Sequence, residues 1–170
     1  NKNCKVSKVC LGTMTFGEQV SKYNSLKILD YAFDQGVNFL DTAEMYPVYP
    51  KSNTQGDSER IIGDWINKRK IRDKIVIASK IASSHPVGQG FTKLKWIRGG
   101  GKNLKFDKKN LNLAIDQSLK RLKTDYIDIY MPHWPSIYFD EKRLSDFAYK
   151  MIRKGKIKNF GLSNFNIELV

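Results

Sequence analysis

Cysteine is scarce in this 170-residue chain, with only Cys4 and Cys10 present. Their spacing suits neither a metal site nor a redox pair, and two free thiols fit a reducing, cytoplasmic compartment. Histidine is equally rare, at His85 and His133. No metal is expected. No apolar run approaches the ~18 residues that would suggest a membrane span. No signal-peptide pattern opens the chain. Acidic residues are few beside basic ones, 17 against 30, for a net charge of +13. Such a balance attracts anions of any kind. Without zinc-finger spacing or an RNA-binding aromatic signature, neither nucleic acid nor a membrane is an expected partner. A basic cluster surrounds Gly99, Gly100 and Gly101: Lys93, Lys95, Arg98, Lys102, Lys105, Lys108 and Lys109. It reads as a solvated loop, with electrostatic steering of an anionic cofactor or partner as the alternative.

What is present is a hydrophobic pattern that keeps changing period. Val9 to Gly12 is a short apolar run suited to a buried strand. Tyr23 to Gln35 has largely helical spacing, and Gly36 stops it. Val37 to Leu40 reads as a strand ending at Asp41. A loop rich in Pro, Asn and Ser follows, from Tyr46 to Gly56. Asp57 and Ser58 can cap a helix from Glu59 to about Asn67, with Ile61, Ile62, Trp65 and Ile66 inward. Ile75 to Ala78 is a buried strand, and Asp107 caps a third helix carrying Leu111, Ile115, Leu119 and Leu122. Tyr126 to Met131 is a fourth strand. Asp140 to Lys154 is a fourth helix with Leu144, Phe147 and Ile152 inward. Asn159 to Leu162 is a fifth strand, and a fifth helix is expected near Asn166.

Strand and helix thus alternate, which argues for a parallel sheet with helical crossovers. An open dinucleotide-binding sheet would want Gly-x-Gly-x-x-Gly after its first strand. The chain reads Gly-Thr-Met-Thr-Phe-Gly there. A (β/α)8 TIM barrel is therefore the expected fold. Eight units need ~250 residues, so only about the first five are present. Residues 1–170 are expected to be the N-terminal part of a single barrel domain, with the remainder missing.

Chemistry in such a barrel sits at the carboxyl ends of the strands. Those ends carry Asp41 with Tyr46 close after, then Lys80, His133, and Ser163-Asn164. Each has a plainer alternative: Asp41 as a turn cap, Tyr46 as a loop-packing aromatic, Lys80 as a solvated cation, His133 as a satisfied loop histidine. Together they make a proton-transfer site. A phenol beside Lys⁺ is expected to ionise more readily than its ordinary value of ~10. Tyr46 is then the general acid, Lys80 its tuner, Asp41 the partner of Lys80, and His133 an orienter of a carbonyl oxygen. With no Ser or Cys nucleophile beside a base, a hydride from a bound cofactor is the natural reactant. His85 reads as a surface residue.

The segments Asp41-Thr42-Ala43-Glu44-Met45-Tyr46, Ser79-Lys80, His133-Trp134-Pro135 and Gly155-Lys156-Ile157 through Gly161-Leu162-Ser163-Asn164 resemble the aldo-keto reductase superfamily. Gly12 to Gln19 and Thr54-Gln55-Gly56 look most like its Tas-like branch. The resemblance implies a catalytic tetrad of Asp41, Tyr46, Lys80 and His133, and NADPH lying across the barrel mouth. NADH is not excluded, since the family's phosphate-gripping segment is not among these residues. Ser163 and Asn164 would hold the nicotinamide carboxamide. Thr13, Met14, Gln19 and Asp41 would lie beside the nicotinamide and its ribose. Trp134 would wall the pocket for a small carbonyl substrate, an aldehyde or ketone reduced to an alcohol. The alternative is a cofactor-binding regulatory subunit like the potassium-channel β-subunits, which usually carry Asn where His133 stands.

Overall fold

A computed structural model of the chain describes residues 5–83, 96–100, 104–135 and 140–166. Strands β1 (Cys10–Gly12), β2 (Phe39–Asp41), β3 (Val76–Ile81), β4 (Ile127–Pro132) and β5 (Ile157–Phe160) alternate with helices α1 (Lys22–Asp34), α2 (Asp57–Arg69), α3 (Lys108–Leu122) and α4 (Glu141–Arg153). All pairings are parallel, and the spatial order is β1-β2-β3-β4-β5. A doubly wound sheet reverses its order at a switch point. This sheet runs in strict sequence, as the wall of a barrel does. The register aligns Gly12 with Asp41 and Asp41 with Ala78, so β1 and β2 end level with each other, while β3 runs on past Ala78 to Ile81, beside Pro132 at the end of β4.

Helix starts follow local chemistry. The Asp107 carboxylate accepts from Asn110 N at 2.9 Å and opens α3, and Asp140 accepts from Arg143 N at 2.8 Å and opens α4. The start of α2 differs from the expectation. Gly56, at φ 82°, occupies the N-cap and gives no side-chain cap. The reason is competition: the Asp57 carboxylate is held by Arg60 at 2.7 Å. The Ser58 hydroxyl is drawn inward, 2.7 Å from Thr13 Oγ1 and 2.9 Å from Thr42 Oγ1.

The core lies between sheet and helices and includes Ile62, Trp65 and Ile66 of α2, Leu111 and Ile115 of α3, and Leu144, Phe147 and Met151 of α4, against Leu40, Ile77 and Ile127 of the strands. Expected Ile152 is exposed instead, at 44%, and Met151 takes the inward place. Leu144, Phe147, Ala148 and Met151 follow the i, i+3, i+4, i+7 stripe, and Ile152 falls off its edge. Strand β5 begins two residues earlier than expected, because Ile157 pairs with Ile127. The expected fifth helix lies outside the described residues. Helices α2 and α3 approach closely at Gly63, where an added Cβ would stand 2.7 Å from the Leu122 carbonyl carbon and against Arg121 O.

Candidate active site

Side chains alternate along a strand, and β3 uses both directions. Ser79 donates to Glu59 Oε1 of α2 at 2.6 Å. The next residue sends its side chain to the other side. The Lys80 ammonium donates to Asp41 Oδ1 at 2.5 Å and to Thr42 O at 2.9 Å, with Tyr46 OH at 3.5 Å. Lys80 is buried and the Asp41 side chain one-third exposed. A carboxylate, an ammonium and a phenol from β2, β3 and the loop after β2 therefore meet at one place.

His133 follows the end of β4, where its backbone N–H bonds Ile81 O at 2.9 Å and continues the ladder. Its ring meets Tyr46 edge-on, centroids 5.6 Å apart at 77°, and lies 4.5 Å from the Trp134 ring. The Trp134 indole N–H donates to Ser83 O at 2.9 Å, which fixes the indole. Burial, reinforced by the charge of Lys80, pushes the His133 pKa down to about 3. The imidazole is neutral at ordinary pH. Its buried Nδ1 has no hydrogen-bond partner among the described residues.

One electrostatic expectation is corrected. The Tyr46 phenol is not made more acidic: burial, then the Asp41 charge, raise its pKa to about 12. Desolvation penalises the phenolate, and the Asp41 carboxylate that pairs Lys80 also repels a nearby phenolate. The phenol is thus held in the form that can give a proton.

The other expected residues are placed as follows. Thr13 is fully buried and donates to Asp41 O at 2.9 Å, tying β1 to β2. Met14 is about half exposed. Gln19 reaches across to donate to Val48 O at 2.6 Å in the loop beyond Tyr46. Asn164, at φ 61°, donates to His133 O at 2.7 Å and to Ser163 Oγ at 3.1 Å. Strand-end residues of β5 and β4 are thereby joined.

The sequence reading missed three residues around this site. Ser58, read as a helix cap, bridges Thr13 and Thr42 behind Asp41, and it also donates to Thr13 O at 2.9 Å. Glu44 is fully buried and pairs with Arg98 at 2.5 Å. Arg98 had been counted in the solvated basic cluster, yet its side chain is 1% exposed. The signal available was Glu44 itself, an acid between Ala43 and Met45 on a loop that must pack. His85, Lys93, Lys95 and Lys102 lie outside the described residues.

Sequential parallel strands with helical crossovers and polar groups at the carboxyl ends define a protein of the (β/α)8-barrel class. The chain belongs to the aldo/keto reductase family, whose model matches residues 8–170. Protein tas of Escherichia coli is 45% identical over 135 residues, covering 79% of this chain and 37% of that protein. Norsolorinic acid reductase B of Aspergillus parasiticus is 34% identical over 168 residues, covering 94% and 40%. Among solved structures, an aldo-keto reductase from Klebsiella pneumoniae in complex with NADPH matches at a TM-score of 0.74 and 28% identity, covering 96% of this chain and 48% of that one. The chain spans about two fifths of the length of those two curated relatives and about half of that solved one.

Proposed function

We propose that the full-length protein is an NADPH-dependent reductase of aldehydes or ketones, with Tyr46 as the proton donor. The observation that carries this is the meeting of Lys80 Nζ with Asp41 Oδ1 at 2.5 Å and Tyr46 OH at 3.5 Å, with the His133 ring against the phenol. The NADPH and NADP bound in the Klebsiella relative's structures support the choice of cofactor.

The residues present fit a nicotinamide at the strand ends. Gly12 leaves open space where a Cβ would stand, and Met14 and Leu162 expose apolar surface at 48% and 39%. Ser163 and Asn164 offer a hydroxyl and an amide for the carboxamide, Gln19 and Asp41 belong to the same rim, and the buried Thr13 holds the Asp41 backbone from beneath. When bound, NADPH supplies the hydride. The chain supplies the rest. Tyr46 OH gives its proton to the carbonyl oxygen. Lys80, held by Asp41 and Thr42 O, keeps a positive charge beside the oxygen that loses the proton. The neutral His133 carries one ring N–H that can orient the carbonyl oxygen, and Trp134 shields the pocket from water. No observation favours a purely regulatory role.

We also propose that residues 1–170 are the N-terminal part of one eight-unit barrel domain, because among the described residues β1 and β5 each have a strand on one side only and open edges are sites of association.

The decisive experiment follows NADPH oxidation by full-length protein with small aldehydes, ketones and quinones, beside Tyr46→Phe. The expected outcome is turnover lowered by ~10²- to 10⁴-fold in the variant, with NADPH binding unchanged. Normal turnover by Tyr46→Phe would remove Tyr46 from the role.

A further inference from the structure

Along the sequence the basic residues are spread widely, and the fold gathers them. Phe39 pairs with Val76, Ala78 with Ile129 and Ile127 with Ile157, so β2, β3, β4 and β5 start nearly level. The three turns that lead into β3, β4 and β5 therefore lie at one end of the sheet, the end away from Lys80 and His133. Residues 68–74, 120–125 and 150–158, which make those turns, hold thirteen basic residues against two acidic ones, Asp73 and Asp125. They carry all but two of the chain's net +13 charges. A helix C-terminus favours cations in its last turn, which accounts for Lys68, Arg69, Lys120, Arg121, Lys150 and Arg153. It does not account for Lys74, Lys156 and Lys158, which lie beyond the helices and their caps.

The turns are joined into one surface. Arg72, before β3, donates to Thr124 Oγ1 at 2.9 Å and to Tyr126 O at 2.8 Å, before β4. Two cations cover the Tyr126 ring, with Arg72 Cζ 3.8 Å and Lys158 Nζ 4.0 Å from its centroid. Ile127 N donates to Lys156 O at 2.9 Å, which ties in the turn before β5. Two clefts run between the turns. Lys70 and Lys123 line one, and Lys120, Lys123, Lys154 and Lys156 line the next. Some of these charges are already answered: Lys123 pairs with Asp64, Lys156 with Asp116, and Arg72 and Lys158 with Asp128. Lys68, Lys70, Lys74, Lys120, Lys150 and Lys154 are exposed and make no ion pair among the described residues.

We propose that this end of the barrel is a docking surface for an anionic lipid membrane. Each unpaired lysine near a negative lipid surface strengthens attachment about fivefold. Ile152, 44% exposed, lines a cavity at the same end with Gly155, Ile157 and Lys158. An apolar side chain beside cations suits the boundary between headgroups and acyl chains. Nucleic acid fits less well. The unpaired cations are lysines, without the planar fork that grips phosphate in two places. The Tyr126 ring, which could otherwise stack on a base, is covered by Arg72 and Lys158. Attachment is to the membrane surface and needs no spanning segment. It revises the sequence-based expectation of no membrane partner, because the lysines share one face. Docked in this way, the protein holds Asp41, Lys80 and His133 at the end turned away from the lipid. None of this depends on the reductase reading.

The test sediments full-length protein with phosphatidylcholine vesicles, with and without phosphatidylserine. Binding is expected only with phosphatidylserine, and it is expected to fall as salt screens the charges. A triple variant, Lys70→Gln with Lys120→Gln and Lys154→Gln, is expected to bind ~10²-fold more weakly. A matched triple at the opposite ends of α3 and α4, Lys108→Gln with Lys109→Gln and Lys142→Gln, removes the same charge. It is expected to stay within about threefold of the parent, since charges held more than ~10 Å from the lipid are screened. No binding of the parent to phosphatidylserine vesicles would overturn the proposal. Equal weakening by the two triples would overturn it too, because the response would then be to net charge alone. Tighter retention on duplex RNA than on the vesicles at the same salt, lost in the first triple, would hand the face to nucleic acid and reject the lipid. If the first triple does not fold, Lys154→Gln alone is measured. About fivefold weaker binding is then expected, and unchanged binding counts against the docking surface.

Discussion

At the scale of single residues, burial decides the protonation states around Tyr46. His133 is neutral because desolvation and Lys80 push its pKa down to about 3. In an unfolded chain the same group titrates near ~6.5. Below that pH the unfolded chain binds a proton that the folded chain refuses. His133 therefore leaves stability untouched above pH ~6.5 and lowers it as pH falls from there toward about 3. Denaturant melts at several pH values are expected to show this slope in the parent and a shallower one in His133→Gln. The imidazole also stays neutral through ordinary assay pH, so it contributes no inflection near pH 6.5 to kcat/KM. Lys80→Met makes a different point. It removes the charge that Asp41 and Thr42 O hold in place. Turnover is expected to fall by ~10²-fold or more, with the fold retained by circular dichroism. Unchanged turnover would mean that the ammonium does not serve the phenol.

At the scale of elements, the site depends on how closely α2 and α3 sit. Gly63 lets the backbone at Arg121 and Leu122 lie directly against α2. Gly63→Ala is expected to destabilise by ~1–3 kcal/mol through forced separation, despite the better helix propensity of Ala. Thermal melts check this, and a neutral or raised Tm would show that the helices can part freely. The same contact aligns a buried polar bridge, since Glu59 takes Ser79 Oγ on one oxygen and Arg121 Nε, at 2.6 Å, on the other. That bridge anchors the outward-facing side of β3, whose next residue is Lys80. Removing one partner of a buried pair leaves an uncompensated charge, and Arg121→Met is expected to cost ~3–5 kcal/mol, read in the same melts.

At the scale of the whole molecule, the sheet has two edges left unpaired among the described residues. β1 and β5 show mostly exposed or half-buried residues, while β3 between them is buried throughout. An edge with free N–H and C=O groups is a template for association. Residues 1–170 expressed alone are expected to self-associate and to bind an apolar dye, and full-length protein to do neither. Sedimentation of both at matched concentrations checks the difference. A stable, dye-silent monomer of the short chain would mean that these edges need no further strands.

Periodicity alone determined the order of strands and helices, because burial of one face imposes a spacing that survives without any knowledge of neighbours. The strand-end positions of Asp41, Tyr46, Lys80 and His133 were legible for the same reason, since a parallel sheet directs its carboxyl ends to one side. Boundaries were less legible. Ile157 entered β5 through its pairing with Ile127, and Ile152 lost the core to Met151 by a single residue of helical phase. Only the tertiary structure decided that Ser58 abandons its capping role for Thr13 and Thr42, that Arg98 leaves the basic surface for Glu44, and that burial raises rather than lowers the Tyr46 pKa. Each of these depends on residues distant in the chain and on how much water the fold excludes, which are properties of the packed molecule and not of a local stretch of sequence.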